Sequence, residues 1–135
     1  MVSKRQKEEI KIAMGDAYKA FEYAYDVIRG RWPGAEPIIM QVPDAAYDYA
    51  LWVIRGRWFG AEPFIMRDSD SAYRYAAFII KNRWPEAEPI IMMDSKSAWL
   101  YARDVIKGRW PEAEQFIMKD ETWWGRYVQD FNLLG

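Results

Sequence analysis

Residues 102–114 read ARDVIKGRWPEAE, and related versions of this stretch occupy residues 24–36, 50–62 and 76–88. Successive copies are displaced by 26 residues. Ten positions of this unit are identical in all four copies, and they begin at Ala20, Tyr23, Ala24, Ile28, Arg31, Trp32, Ala35, Glu36, Ile39 and Met40. Self-similarity at a period of about 20 to 50 residues is typical of repeat architectures. The chain is therefore predicted to be a tandem repeat protein.

The first half of each unit has the pattern of an amphipathic helix. In the first unit, apolar residues spaced i, i+3, i+4, i+7 and i+8 predict one continuous stripe, formed by Ala20, Tyr23, Ala24, Val27 and Ile28. Acidic residues suited to cap the helix start recur at Asp68, Asp94 and Asp120. Residues that tolerate the left-handed conformation after a helix recur at Gly30, Gly56, Asn82 and Gly108.

The second half of the unit predicts a short helix that is partly 3₁₀ in character. Trp-Pro at residues 32–33 suits a helix start, whereas Pro37 lacks the N–H that a longer α-helix would need. The apolar run at residues 38–40 is the alternative site for a strand, but three residues are too few to favour one.

A long and a short helix that repeat in this way bury their apolar faces by stacking on neighbouring units. We therefore predict an all-α fold, an α-solenoid of long-helix and short-helix repeats that forms a single elongated domain over residues 1–135. The four full repeats are predicted at residues 16–41, 42–67, 68–93 and 94–119, with degenerate half-repeat caps at 1–15 and 120–135.

Composition and motifs argue against catalysis. The chain has 135 residues, 19 Lys plus Arg, 20 Asp plus Glu, and neither Cys nor His, which removes the commonest general base and the thiolate nucleophile. Glu36 has an equivalent in every repeat, whereas a catalytic residue is normally unique. No nucleotide-binding or metal-ligand motif is present. We expect no enzyme activity, catalytic residue, metal or cofactor. Since no apolar run would span a bilayer, we expect a cytoplasmic protein without membrane partners.

The segments ARDVIKGRWPEAE at 102–114 and NRWPEAEP at 82–89 resemble a short tandem repeat of predicted proteins from tailed phages and large DNA viruses. The resemblance covers nearly the whole chain and implies a helical repeat of viral origin, in the cytoplasm of a host cell. No agreed activity comes with it. The chain departs from this pattern at Phe59, Asn82 and Gln115.

The face of the long helix opposite the apolar stripe is unexpectedly aromatic. Trp52 and Phe78 occupy equivalent positions in the two middle repeats, where a solvent-facing residue would normally be polar. An aromatic centre with a charged rim is typical of a protein-binding surface. The predicted partner-binding residues are Trp52, Phe78, Leu51, Tyr25, Arg74, Asp48 and Leu100. The alternatives are burial of this face and sequence drift. With the viral resemblance, the leading hypothesis is a phage-encoded inhibitor that sequesters a host defence protein.

Two other functions stay open at this point. A nucleic acid could bind a basic edge formed by Arg31, Arg57, Arg83 and Arg109, or these arginines could instead pair with the Glu36-type glutamates in ladders between repeats. Self-assembly could use Trp123 and Trp124 in the C-terminal cap, although packing within the cap competes with that role.

Overall fold

The computed structural model describes residues 2–134 and is all-α, with ten α-helices and no strand in that range. The chain forms two compact units, Met1–Ile65 and Met66–Gly135. Each unit contains consecutive repeats whose long helices pack side by side, which confirms the predicted all-α solenoid class within each unit. That the two units form one elongated domain stays a prediction.

The first unit consists of an N-terminal helix and two repeats. Its α-helices are α1 (Lys4–Ala13), α2 (Ala17–Tyr23), α3 (Glu36–Ile39), α4 (Pro43–Tyr49) and α5 (Glu62–Ile65). Helix α2 packs against α1, α3 and α4, and α4 packs against α5. Small residues let the two long helices approach closely, since Ala20, Ala24, Ala46 and Ala50 are fully buried. Helix α1 is charged and mostly exposed.

The second unit repeats this plan and ends in a longer helix. Its α-helices are α6 (Ser69–Tyr75), α7 (Glu88–Ile91), α8 (Ser95–Tyr101), α9 (Pro111–Ile117) and α10 (Glu121–Asp130). Helix α8 packs against α6, α7, α9 and α10. The predicted helix starts are confirmed, because the Asp68, Asp94 and Asp120 carboxylates each accept a hydrogen bond from a backbone N–H of the helix that follows.

The long helix of every repeat changes from α to π geometry in its second half. The π-helical segments are Ala24–Ile28, Ala50–Ile54, Ala76–Ile80 and Ala102–Ile106. Each is closed by a wide hydrogen bond, as between the Arg29 N–H and the Ala24 carbonyl at 2.7 Å. The predicted single α-helical stripe therefore does not continue through the π segment of the first repeat, where Val27 is 53% and Ile28 41% exposed. The equivalent residues at 53–54, 79–80 and 105–106 are half-buried.

The residue in the left-handed conformation is also one position earlier than predicted. The φ angles of Arg29 and Arg55 are 60° and 63°, and those of Lys81 and Lys107 are both 60°. Glycines 30, 56 and 108 follow these residues and do not adopt the left-handed conformation themselves. The left-handed conformation costs an L-residue about 1–2 kcal/mol, and glycine avoids this cost. Arg or Lys therefore occupies a position where glycine would be favoured.

The short helix agrees with the prediction. In the first three repeats a 3₁₀ turn, such as Pro33–Ala35, precedes a four-residue α-helix, such as α3. In the fourth repeat Gln115 replaces the second proline and supplies its own N–H, and α9 is continuous from Pro111 to Ile117. The competing strand at residues 38–40 does not form.

Within each unit, a tyrosine joins a short helix to the long helix that follows it. The Trp84 backbone N–H donates to the Tyr101 hydroxyl at 2.7 Å, and that hydroxyl donates to Glu88 Oε2 at 2.6 Å. Arg83 donates twice to the same Glu88 carboxylate, at 2.9 and 2.8 Å. We call this set the tyrosine clamp. It recurs in unit 1 at Arg31, Trp32, Glu36 and Tyr49, and in unit 2 at Arg109, Trp110, Glu114 and Tyr127.

The clamp corrects the predicted ladder of ion pairs between repeats. Each Arg–Glu pair lies within one repeat, and the tyrosine provides the link to the next. Each tryptophan ring also packs on the tyrosine of its own repeat, with 5.0 Å between the ring centroids of Tyr75 and Trp84. Trp84 and Trp110 are almost completely buried, so the tryptophan column forms core packing between repeats.

We expect Tyr101→Phe to lower the free energy of unfolding by about 1–3 kcal/mol, because it leaves the buried Trp84 N–H without an acceptor. Tyr23→Phe is the matched control. Tyr23 packs on Trp32 in the same way, at 5.2 Å, but no hydrogen bond of its hydroxyl occurs within residues 2–134. Urea unfolding of both variants measures the difference. Equal stability losses would show that the hydroxyl contributes nothing.

Candidate functional site

In unit 1 the predicted partner-binding residues lie on the outer side of the two long helices. The Trp52 side chain is 52% exposed and Tyr25 is 46% exposed. Their rings meet edge to face, with centroids 6.4 Å apart. Leu51 and Asp48 are half-buried next to them on the same helix. The structure therefore brings Tyr25 and Trp52 together in an exposed aromatic pair.

In unit 2 the predicted residues are less closely grouped. Phe78 is 51% exposed, and its ring lies edge-on to Tyr73 with centroids 6.4 Å apart. Arg74 is exposed and pairs with Asp70 at 3.1 Å, one helical turn away. Leu100 is half-buried.

The position held by Trp52 and Phe78 has a second role that the sequence prediction missed. In the fourth repeat the residue at this position is Asp104, which accepts a hydrogen bond from the Tyr73 hydroxyl of the preceding repeat. In the C-terminal cap it is Asp130, which accepts from Trp99 Nε1 at 2.7 Å. The sequence contains a signal for these hydrogen bonds, because a side chain with a donor group stands 31 residues before each of the two acids. Phe21 stands 31 residues before Trp52 and has no donor group, so Trp52 makes no equivalent hydrogen bond.

A groove of about 430 Å³ lies beside the exposed aromatic pair of unit 1. It runs between the π-helical ends of the two long helices, and we call it the π-turn groove. Its lining residues are Tyr25, Asp26, Arg29, Gly30, Trp52, Val53 and Arg55. The two cations in left-handed conformation therefore line the same groove as Trp52.

The equivalent groove of unit 2 has a volume of about 350 Å³ and is formed by positions two repeats further along the chain. Its lining residues are Ala77, Lys81, Asn82, Asp104, Val105 and Lys107. Cations again stand at both left-handed positions, but the aromatic pair is replaced by Ala77 and Asp104. The Asp104 carboxylate is held by Arg103 at 2.8 Å, and hydrogen bonding from Arg103 and Tyr73 outweighs burial and lowers its pKa.

The four arginines of the predicted basic edge are all engaged in charge-paired contacts. Arg31, Arg57, Arg83 and Arg109 each make two hydrogen bonds of 2.8–2.9 Å to the glutamate five residues later. Hydrogen bonding from Arg31 lowers the pKa of the Glu36 carboxyl, so this pair is charged at neutral pH. The positive charge of this edge is neutralised by its own carboxylates.

The C-terminal tryptophans both pack within their own unit. The Trp123 ring stacks on Trp99 with centroids 5.3 Å apart, and Trp124 stacks on Tyr127 at 5.4 Å. Trp124 also lines an apolar groove of about 400 Å³ next to Leu134, whose side chain is 90% exposed. Both rings serve cap packing, and a role in self-association stays a prediction.

The described part of the chain, residues 2–134, holds no cluster of three or more side chains suited to bind a metal ion. In the same range no helix has the length and apolar character needed to cross a bilayer. Comparison with protein-family models, curated proteins and solved structures finds no match to this chain.

We expect the clamp to restrict full stability to about pH 6–9. Hydrogen bonds from Arg31 and Arg109 lower the pKa of Glu36 and Glu114 below 4.5, so the unfolded chain binds protons first and stability falls as the pH drops through about 5. Burial raises the pKa of Tyr49 and Tyr127 from 10.0 to about 12, so stability also falls as the pH rises between these values.

Urea midpoints measured from pH 3 to 12 test this profile. Tyr49→Phe is expected to make the alkaline decline less steep, because one tyrosine with a raised pKa is removed. A midpoint that stays constant from pH 9 to 12 in the wild-type protein would contradict the assignment of buried, neutral clamp tyrosines.

Proposed function

We propose that this protein is a non-catalytic helical-repeat module that binds a protein partner through the outer face of its long helices. The observation that carries the proposal is the exposure of about half of the Trp52 and Phe78 side chains, on helices whose opposite face is closely packed. Exposed tryptophan at a well-ordered surface is enriched in the energetic centres of protein interfaces.

The contacts of the basic edge favour a protein partner over a nucleic acid. Binding to phosphates requires cations that are free to replace counterions. Arg31, Arg83 and Arg109 donate to glutamates within their own repeats, and the net charge of the whole chain is −1. An exposed aromatic surface with neutralised arginines is better suited to a protein.

The resemblance to repeats of tailed phages and large DNA viruses supports a host protein as the partner. In this proposal the chain acts in the host cytoplasm and sequesters a host protein, such as a component of a defence system. Such an inhibitor acts by occupying a surface and needs no chemistry of its own. This fits a repeat that places glutamates and arginines in structural pairs.

The double variant W52A/F78A is expected to lose partner capture while it keeps its fold. Both rings are half-exposed, so their removal should lower the free energy of unfolding by only about 1 kcal/mol. By contrast, Trp110→Ala removes a ring that is 1% exposed and should cost about 3–5 kcal/mol. Capture is measured by mass spectrometry of host proteins retained on the immobilised wild-type and variant chains, and stability by thermal unfolding.

Phe59→Ala is the matched control, because Phe59 is 68% exposed but lies in a 3₁₀ turn and not on a long helix. The wild-type protein and this control should retain the same host protein, and W52A/F78A should not. Equal retention by all three chains would refute binding through Trp52 and Phe78.

A further inference from the structure

The cations that close the π-helical segments suit the negative end of a helix dipole, but the dipole does not require their left-handed conformation. Glycine is the residue best suited to the left-handed conformation, yet the positions at 29, 55, 81 and 107 carry Arg, Arg, Lys and Lys. A glycine or asparagine follows each of them, so the sequence places the more permissive residue next to the strained position and not in it. Non-glycine residues held in this conformation, and π-helical turns, both concentrate at functional sites.

These cations also differ from the clamp arginines in having no partner. Within residues 2–134, neither Arg29 nor Arg55 makes a side-chain hydrogen bond or ion pair, and the same holds for Lys81 and Lys107. Every clamp arginine has a glutamate five residues later, whereas position i+5 from Arg29 and from Arg55 is a glycine. The groove cations are therefore available to a ligand.

The π-turn groove of unit 1 combines these two guanidinium groups with an apolar surface. Arg29 and Arg55 line it together with the exposed Trp52 ring and the Tyr25 ring. Asp26 is its one acidic side chain, so the ionisable side chains of the lining carry a net charge of +1. A guanidinium group is well matched to a carboxylate, to which it can donate two parallel hydrogen bonds.

We propose that the π-turn groove binds an acidic peptide segment of the partner protein, with carboxylates on Arg29 and Arg55 and an apolar side chain against Trp52. This inference rests on the proposed function and specifies the chemistry of the partner. A nucleic acid is a poorer occupant, because Asp26 stands in the groove and the clamp arginines, already paired with glutamates, offer no further free charge to a phosphate backbone.

Fluorescence anisotropy with three labelled probes tests this assignment. The probes are a nine-residue peptide of alternating Glu and Leu, the same peptide with Gln for Glu, and a nine-nucleotide oligothymidylate. We expect the Glu-Leu peptide to bind at least tenfold more tightly than the other two, and to weaken as salt is raised. Equal binding of the Gln-Leu peptide, tighter binding of the oligonucleotide, or no binding of the Glu-Leu peptide at millimolar concentration would overturn the proposal.

Variants that remove either the cations or the acid of the groove test whether the peptide binds there. R29G/R55G should weaken the Glu-Leu peptide about tenfold without lowering the melting temperature, because glycine suits both left-handed positions. D26N should raise the affinity for the Glu-Leu peptide about twofold, because it removes the one acidic side chain of the groove. K4Q/K7Q, which removes two exposed cations of α1, is the charge-matched control and should leave the affinity unchanged. Unchanged affinity in R29G/R55G, or equal loss in K4Q/K7Q, would overturn the proposal.

The two proposals fail separately. If R29G/R55G retains the host protein that W52A/F78A loses, the acidic ligand is wrong and the aromatic interface stands. If W52A/F78A retains it as the wild-type protein does, the proposed function itself is wrong.

Discussion

The tyrosine hydroxyl that accepts from a tryptophan N–H and donates to a glutamate is the interaction on which the repeat depends. The tryptophan stands between the π-helical end and the 3₁₀ turn, where no regular helix supplies an acceptor for its N–H. A tyrosine of the next repeat supplies one, and Arg83 holds the accepting Glu88 in place. Four sequence columns are thereby explained together, because loss of any polar member would leave a buried group unpaired.

This constraint determines which residues remain for function. The clamp uses the Arg and Glu columns that are identical in all four repeats. These charged residues are therefore structural, and the basic edge that the arginines would form is neutralised. The π-helical segment turns the end of the long helix and brings an unpaired cation to the outer surface at Arg29 and Arg55. The groove between these ends is thus a product of the repeat geometry, and Trp52 and Tyr25 give the first unit its particular chemistry.

Much of the fold could be predicted from the sequence because it follows from period and capping. The 26-residue spacing predicted stacked helical pairs, and Asp94 and Pro33 marked helix starts correctly. The π segment was not predicted, since its residues Ala24 to Ile28 have an ordinary α-helical pattern in sequence. The exposure of Trp52 followed from its position opposite the stripe. The groove role of Arg29 and its equivalents was not predicted because, in sequence, Arg29 and Arg31 both lie at the end of the long helix and only their partners distinguish them.

Hydrogen exchange of the tryptophan backbone amides tests the central role of the clamp most directly. The N–H groups of Trp84 and Trp110 lie outside regular helix, so only the tyrosine hydroxyls at 2.7 and 2.8 Å serve as their acceptors. We predict that both amides exchange only through global unfolding, as slowly as the central amides of α8. Exchange at the fast rates typical of loop amides would show that the tyrosines do not hold the repeats together.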